Sequence, residues 1–137
     1  MKKQVETMRR QHDELRALAA KYEYELDRTV PDLPAHAKCR WMLARLVSVH
    51  LAYEAVLYPE VAGQPGHPGE IARRMAADVA DLGERLQDHV REWTPCTIAD
   101  DWARYRSSSR ELMTALRHQM ESEERDLYPL ASIAKTA

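Results

Sequence analysis

The sequence predicts an all-α chain folded as an antiparallel, up-down-up-down four-helix bundle. Three observations point there: four long segments carry apolar residues at alternating steps of three and four, breaker-rich connections separate them, and no stretch alternates apolar and polar residues as a half-buried strand would. Four amphipathic segments joined by short links bury every stripe most simply by packing side by side. At 137 residues the chain is expected to form one domain, 1–137, because this length supports one core.

The first helix is expected over 2–28, where Val5, Met8, His12, Leu15, Ala19, Tyr22 and Leu26 form the stripe and include a histidine. Pro31 and Pro34 then mark a turn, since proline disfavours helix in the residue before it yet suits a helix's first turn. The second helix is expected over 34–60. Its stripe is Arg40, Leu43, Val47, His50, Glu54, Leu57 and Val61, so two polar side chains interrupt a mostly apolar inward face.

Gly63 to Gly69 is the densest breaker cluster and reads as the next loop. The third helix, over 69–92, carries Ile71, Met75, Val79, Leu82 and Leu86, with Trp93 beside Thr94 and Pro95 at its end. The fourth, over 98–132, starts where a short polar side chain between Thr97 and Asp101 can cap it, and its face runs through Tyr105, Ser109, Leu112, Leu116, Met120, Glu123, Leu127 and Leu130. Leu57-Tyr58-Pro59 recurs as Leu127-Tyr128-Pro129, with Glu54 and Glu124 each five residues before the proline, so the halves look related. Each proline is expected to end or kink its helix, because it lacks an N–H and clashes with the carbonyl four residues back.

Composition narrows the function. A formal net charge of -2 gives no basic excess with which to hold nucleic acid or an anionic membrane, so neither is expected as a partner. Lys2 and Lys3 are followed by the polar stretch Gln4 to Arg10, which supplies no apolar core for export, and no run reaches membrane-spanning length. Two cysteines, Cys39 and Cys96, suggest no disulfide framework, and a reducing cytoplasm is the expected location.

His50 and Glu54 lie four apart on a helix, so an imidazole nitrogen and a carboxylate oxygen can converge on one cation. Their neighbours Val47, Leu51 and Leu57 place the pair on the buried side, where an unpaired carboxylate is costly. With the first turn near residue 31, His12 lies about nineteen residues before it and His50 about nineteen after, so they meet at one level. The later reversals bring roughly residues 118 to 124 to the same level, adding His118, Glu121, Glu123 and Glu124. Imidazoles mixed with carboxylates suit iron, manganese or zinc better than calcium.

His12, the run His50-Leu-Ala-Tyr-Glu54 ahead of Leu57-Tyr58-Pro59, and His118 with Glu123-Glu124 ahead of Leu127-Tyr128-Pro129 together resemble the hemerythrin, or HHE cation-binding, family across essentially the whole chain. The resemblance implies a non-haem di-iron centre, with His12 and His50 as terminal ligands, Glu54 as a bridging carboxylate and an acid of the fourth helix as the second bridge. Relatives that bind oxygen supply a His-x-x-x-His pair from helix 3. Here Gly69 to Arg74 is expected at that level, leaving only Glu70 and, just before the helix, His67. At about 100° per residue, His118 points roughly 200° from Leu116 and faces solvent on an ideal helix. Its spacing to Glu123 matches the His-x-x-x-x-Asp arrangement of some relatives, so a π-bulge would be needed to turn it inward.

The metal ligands expected are therefore His12, His50, Glu54, Glu123 and His118, holding iron as one ion or a di-iron pair, or manganese or zinc in its place. Through the metal the chain would take dioxygen or another small diatomic ligand, for oxygen, redox or metal sensing or storage. No catalytic nucleophile or substrate motif accompanies the site, so a role other than catalysis is expected. The alternative is a bundle with a vestigial metal site that binds a protein partner, or a second copy, through an exposed helix face. In that case Arg73 or Arg74 would fill the ligand space of helix 3 and pair with Glu54. Glu121 and Glu124 read as solvated charges beside Arg117 and Arg125, Arg16 as a solvated face, and Trp41, Trp93 and Trp102 as core or end-packing residues. His36, Cys39 and His89 map to the opposite end, where chance spacing explains them.

Overall fold

A computed structural model describes residues 1–134. All regular structure among them is helical: α1 Lys2–Leu26, α2 Leu33–Ala62, α3 His67–Glu92, a short α4 Pro95–Asp100, α5 Trp102–Ser122, a π turn Glu123–Leu127, and α6 Tyr128–Ala134. Four long helices pack in a ring, α1 on α2, α2 on α3, α3 on α5 and α5 on α1. Contacts between neighbours run in opposite directions: His12 meets His50 while Tyr22 meets His36, and His89 meets Ser109 while Arg104 reaches back to Glu92. Among the described residues no helix is long and apolar enough to cross a membrane.

Local chemistry sets the boundaries. The Asp32 side chain accepts the Ala35 N–H and caps α2, with Pro34 in the first turn. α3 begins at His67, two residues ahead of the expected start, because Gly66 turns with φ 74 and Pro68 seeds the first turn. Gly69 is buried where a Cβ would fall 2.0 Å from the Gln64 carbonyl oxygen, which excludes any larger residue.

The structure carries α2 past its proline and corrects the last helix. α2 continues through Pro59 to Ala62, where the Gly63 N–H closes the end on the Pro59 carbonyl. The helix expected from residue 98 is instead broken at Asp101, whose φ of -144 leaves the helical region while its carboxylate caps α5 through the Arg104 N–H. A Thr94–Thr97 capping box starts α4, and Trp102 donates Nε1–H to the Arg28 carbonyl, closing this end of the bundle.

Two apolar clusters flank the middle of the bundle. One gathers Leu15, Tyr22, Leu26, Trp93, Trp102, Tyr105 and Leu116 with their neighbours, and the other Val5, Met8, Leu57, Val61, Met75, Leu127 and Tyr128. Trp41, expected inside, is 62% exposed with the Arg45 guanidinium over its ring. It sits one residue past Arg40, off the buried stripe of α2.

His36 and His89 are buried in the first cluster and joined by a chain of polar atoms. His36 Nε2 lies 2.6 Å from the Tyr105 hydroxyl, which lies 2.5 Å from the Tyr22 hydroxyl; Tyr22 donates to Ser109 Oγ, which lies 3.2 Å from His89 Nε2. Burial, helped by the Arg40 charge, pushes both imidazoles down to about 4. A folded pKa below the unfolded 6.5 means that the unfolded chain takes up the proton first as pH falls. The stabilisation is therefore complete above pH 6.5 and is lost as pH drops toward 4. Urea denaturation should show about 2 kcal/mol lost per imidazole between pH 7 and pH 5. His36→Asn, itself less stable, should show a shallower pH dependence, and an unchanged slope would assign the acid sensitivity elsewhere.

Candidate metal centre

His12 from α1, His50 and Glu54 one turn apart on α2, and Glu123 at the start of the π turn meet inside the bundle, all four buried. Each offers one ligand atom, and those atoms lie within 4.8 Å of one another. The local fold explains the convergence. His50 and Glu54 share one face of α2 by their spacing, and antiparallel packing lays α1 and the end of α5 beside that face. The π turn places an extra residue in the winding ahead of Pro129, with the Tyr128 N–H bonded to the Glu123 carbonyl five residues back. Because of that extra residue, Glu123 and its neighbour Glu124 both reach His12, at 3.0 and 2.7 Å.

The outer nitrogens fix how the imidazoles face. His12 Nδ1 lies 2.7 Å from the Glu124 carboxylate, and His50 Nδ1 lies 2.7 Å from Gln11 Oε1. Both partners are acceptors, so each Nδ1 donates its hydrogen outward and each ring turns Nε2 inward. The two Nε2 atoms are 3.1 Å apart. Glu123 Oε1 lies 3.0 Å from His12 Nε2, and Glu54 Oε1 lies 2.8 Å from His50 Nε2. Four electron-rich atoms thus face one point, an arrangement that only protons or a cation can hold together.

Charges inside the cluster show the same tension. Burial pushes Glu54 up to about 8, with the neighbouring Glu123 adding to the rise and His50 opposing it. Burial acts the same way on Glu123, but hydrogen bonds from His12, His50, Glu54 and Tyr58 outweigh it and hold this carboxyl below the usual carboxylate range. His50 would be lowered by burial, yet its bonds to Glu123 and Glu54 raise it to about 9. One oxygen, Glu54 Oε2, is buried with no hydrogen-bond partner among the described residues. An orphaned carboxylate oxygen beside two inward-facing imidazole nitrogens fits a metal ion, which would take the place of the protons that now hold them together.

A second layer holds these groups. Arg16 reaches both oxygens of Glu124 at 2.8 Å, and Glu124 in turn holds His12. Tyr58 donates to Glu123 Oε2 at 2.6 Å, Gln119 donates to the Tyr58 hydroxyl at 3.4 Å, and the Tyr128 hydroxyl lies 3.0 Å from His12 Nε2. The two tyrosines of the repeated Leu-Tyr-Pro therefore both reach into the centre. On the α3 side the wall is apolar: a cavity of about 20 Å³ lies between His50, Glu54 and Glu123 on one side and Val79, Leu82 and Leu86 on the other. That is room for one water-sized molecule.

Of the five ligands expected from sequence, the fold brings together His12, His50, Glu54 and Glu123. His118 is the correction: it is exposed and lies outside the group. A π turn does form, but it begins at Glu123, after His118, and so leaves that side chain on the outer face of α5. His67 and Glu70 are exposed as well, and the level facing the centre is Val79 and Leu82, not Gly69 to Arg74. Arg73 and Arg74 are exposed, Arg73 bonding the Ala62 carbonyl, so neither pairs with Glu54. Glu124 and Arg16 are not simply solvated charges, and Gln11, Tyr58 and Tyr128 carry contacts that periodicity alone did not assign. The repeat held the clue, since it aligns Tyr58 with Tyr128 and Glu54 with Glu124.

Compared with known families, residues 3–131 match the model of the hemerythrin HHE cation binding domain. No curated protein and no solved structure matches the chain.

Proposed function

Because the chain belongs to the hemerythrin HHE cation-binding domain family, we propose that it holds non-haem iron at His12, His50, Glu54 and Glu123 and serves oxygen, redox or metal sensing or storage. The observation that carries this reading is the inward convergence of two imidazole nitrogens and two carboxylates, one of whose oxygens has no partner among the described residues. Mixed nitrogen and oxygen ligation suits iron, and manganese or zinc compete for the same donors. Bound there, iron would supply redox chemistry and a coordination position for dioxygen or another small diatomic ligand. The chain's own residues do the rest. Glu124 and Gln11 fix the two imidazole tautomers, Tyr58 orients Glu123, and Val79, Leu82 and Leu86 keep the α3 side dry around the 20 Å³ cavity.

The donor set favours fewer than two tightly held irons per chain. His118, His67 and Glu70 lie at the surface, and α3 faces the centre with aliphatic residues. Elemental analysis of protein expressed in iron-supplemented medium tests this: a ratio near one iron per chain is expected. Two retained irons with a reversible, oxygen-dependent visible spectrum would overturn the single-site reading, and no bound metal under any loading condition would overturn metal binding itself. Free Cys39 and Cys96 fit a reducing cytoplasm as the place of action.

Outer partners should be measurable in their own right. Replacing Glu124 by Gln keeps the shape but weakens the acceptor that holds the His12 Nδ1–H, so metal affinity should fall roughly 10- to 100-fold. A chelator-competition titration checks it, and an unchanged affinity would leave Glu124 without a part in orienting His12.

A second reading has one observation behind it. The outer face of α2 exposes Trp41, Met42, Val49, Tyr53 and Val56. Such a stripe supports a contact with a protein partner or a second copy, compatible with metal binding rather than exclusive of it.

A further inference from the structure

A cavity of about 400 Å³ lies away from the metal centre. It opens between α2, α3 and α5, within the 300–1,000 Å³ range of small-molecule sites. Its walls are aliphatic, from Leu43, Val47, Leu51, Leu86, Leu112 and Leu116. Small residues hold it open, Ala44 and Ser48 on α2 and Gly83 on α3. Gly83 is telling because glycine is the poorest helix former after proline, yet a Cβ there would meet nothing within 4 Å. No packing contact requires a glycine at that position; its effect is to leave the space empty.

The cavity has a polar end and an apolar end. Toward the far end of the bundle it is lined by Arg40, Arg91, His89, Ser109 and Tyr22; toward the metal centre it is lined by Leu51, Gly83 and Leu116. Two cations and no Asp or Glu stand among the lining residues. Among the described residues Arg40 is anchored through Nη2, on the carbonyl oxygens of Trp93 at 2.6 Å and Val90 at 3.3 Å, which leaves its other N–H donors for a ligand. The run of α2 from Arg40 to Leu51 spans roughly 16 Å at 1.5 Å per residue.

We propose that this cavity binds a small amphipathic carboxylate, with its anionic end on Arg40 and its aliphatic chain lying between α2 and α3 toward Leu51. Positive charge at one end selects the carboxylate, and the mostly aliphatic walls along the rest of the cavity, broken by Ser48 and Gln87, select an unbranched hydrocarbon body over a sugar or nucleotide. The site is independent of the metal reading, since it shares no ligand residue with it.

Calorimetric titration of the full chain with decanoate, below its micellar concentration at neutral pH, tests the proposal. One decanoate per chain is expected, with 1-decanol, which has the same body and no charge, binding at least tenfold more weakly. Gly83→Leu fills the cavity from a residue that helices favour, so the variant should fold and lose decanoate binding. Arg40→Gln should erase the preference for decanoate over decanol. Absence of decanoate binding, equal binding of decanol by the native chain, or undiminished binding by folded Gly83→Leu would each overturn the assignment. So would a dimer in sedimentation that Gly83→Leu dissociates while decanoate has no effect, because the groove would then belong to a second copy.

Discussion

Replacing His50 by Ala is expected to lower metal affinity by roughly 100- to 1,000-fold and to leave the protein metal-free after dialysis. The size follows from sharing about 10–16 kcal/mol of apparent metal-binding energy among four ligands, roughly 3 kcal/mol each. His50 is also the residue with most to lose inside the cluster. Its Nε2 lies 2.8 Å from Glu54 Oε1 and 3.1 Å from His12 Nε2, and its Nδ1 holds Gln11. His118→Ala, at an exposed position of α5, should leave affinity unchanged and serves as the control. Chelator competition gives the affinities, and circular dichroism shows that both variants remain helical. Equal losses in the two variants, or none in His50→Ala, would contradict the site.

Metal loading at pH 7 is expected to release one to two protons per chain, and affinity should rise about 10- to 100-fold per pH unit between pH 6 and pH 8. The sign comes from the metal-free cluster. His50, raised to about 9, and Glu54, raised to about 8, both hold protons at pH 7, and a metal must displace them to reach the donor atoms. As pH falls the protons compete better and affinity drops; above about pH 9 both groups are already deprotonated and the dependence flattens. Calorimetry in buffers of different ionisation enthalpy counts the released protons directly. A pH-independent affinity would mean that the metal sits on other residues.

Much of this centre was legible in the sequence because helices impose a period and antiparallel packing imposes a level. His50 and Glu54 declared themselves by their spacing, and His12 by its equal distance from the first turn. Glu123 lay on the apolar stripe of the last helix, where a carboxylate has no reason to be unless something inside needs it. The rest depended on geometry that an ideal helix does not contain. The π turn at Glu123–Leu127 shifts the winding so that Glu123 and Glu124 both face His12, and Leu127 and Tyr128 are both buried. At a uniform 100° per residue Glu124 falls about 80° from Leu116, on the flank of the stripe, and with Arg125 beside it the residue read as a surface charge.

The break at Asp101 was hidden for a related reason. A capping aspartate can start a helix without announcing that another has just ended, and α4 and α5 share a single apolar face through Ile98, Trp102 and Tyr105. The large cavity was invisible to a reading of stripes, because it is made of side chains that are absent. Ala44 and Gly83 register in the sequence only as weak positions on α2 and α3, and their effect appears when the two helices face each other.

Anomalous diffraction from crystals of the metal-loaded protein, recorded at the absorption edge of the metal, tests the central claim most directly. A single peak per chain is predicted inside the bundle, within coordination distance of His12 Nε2, His50 Nε2 and the carboxylates of Glu54 and Glu123. A peak elsewhere on the chain, two peaks in the centre, or none at these four residues in metal-saturated crystals would contradict it.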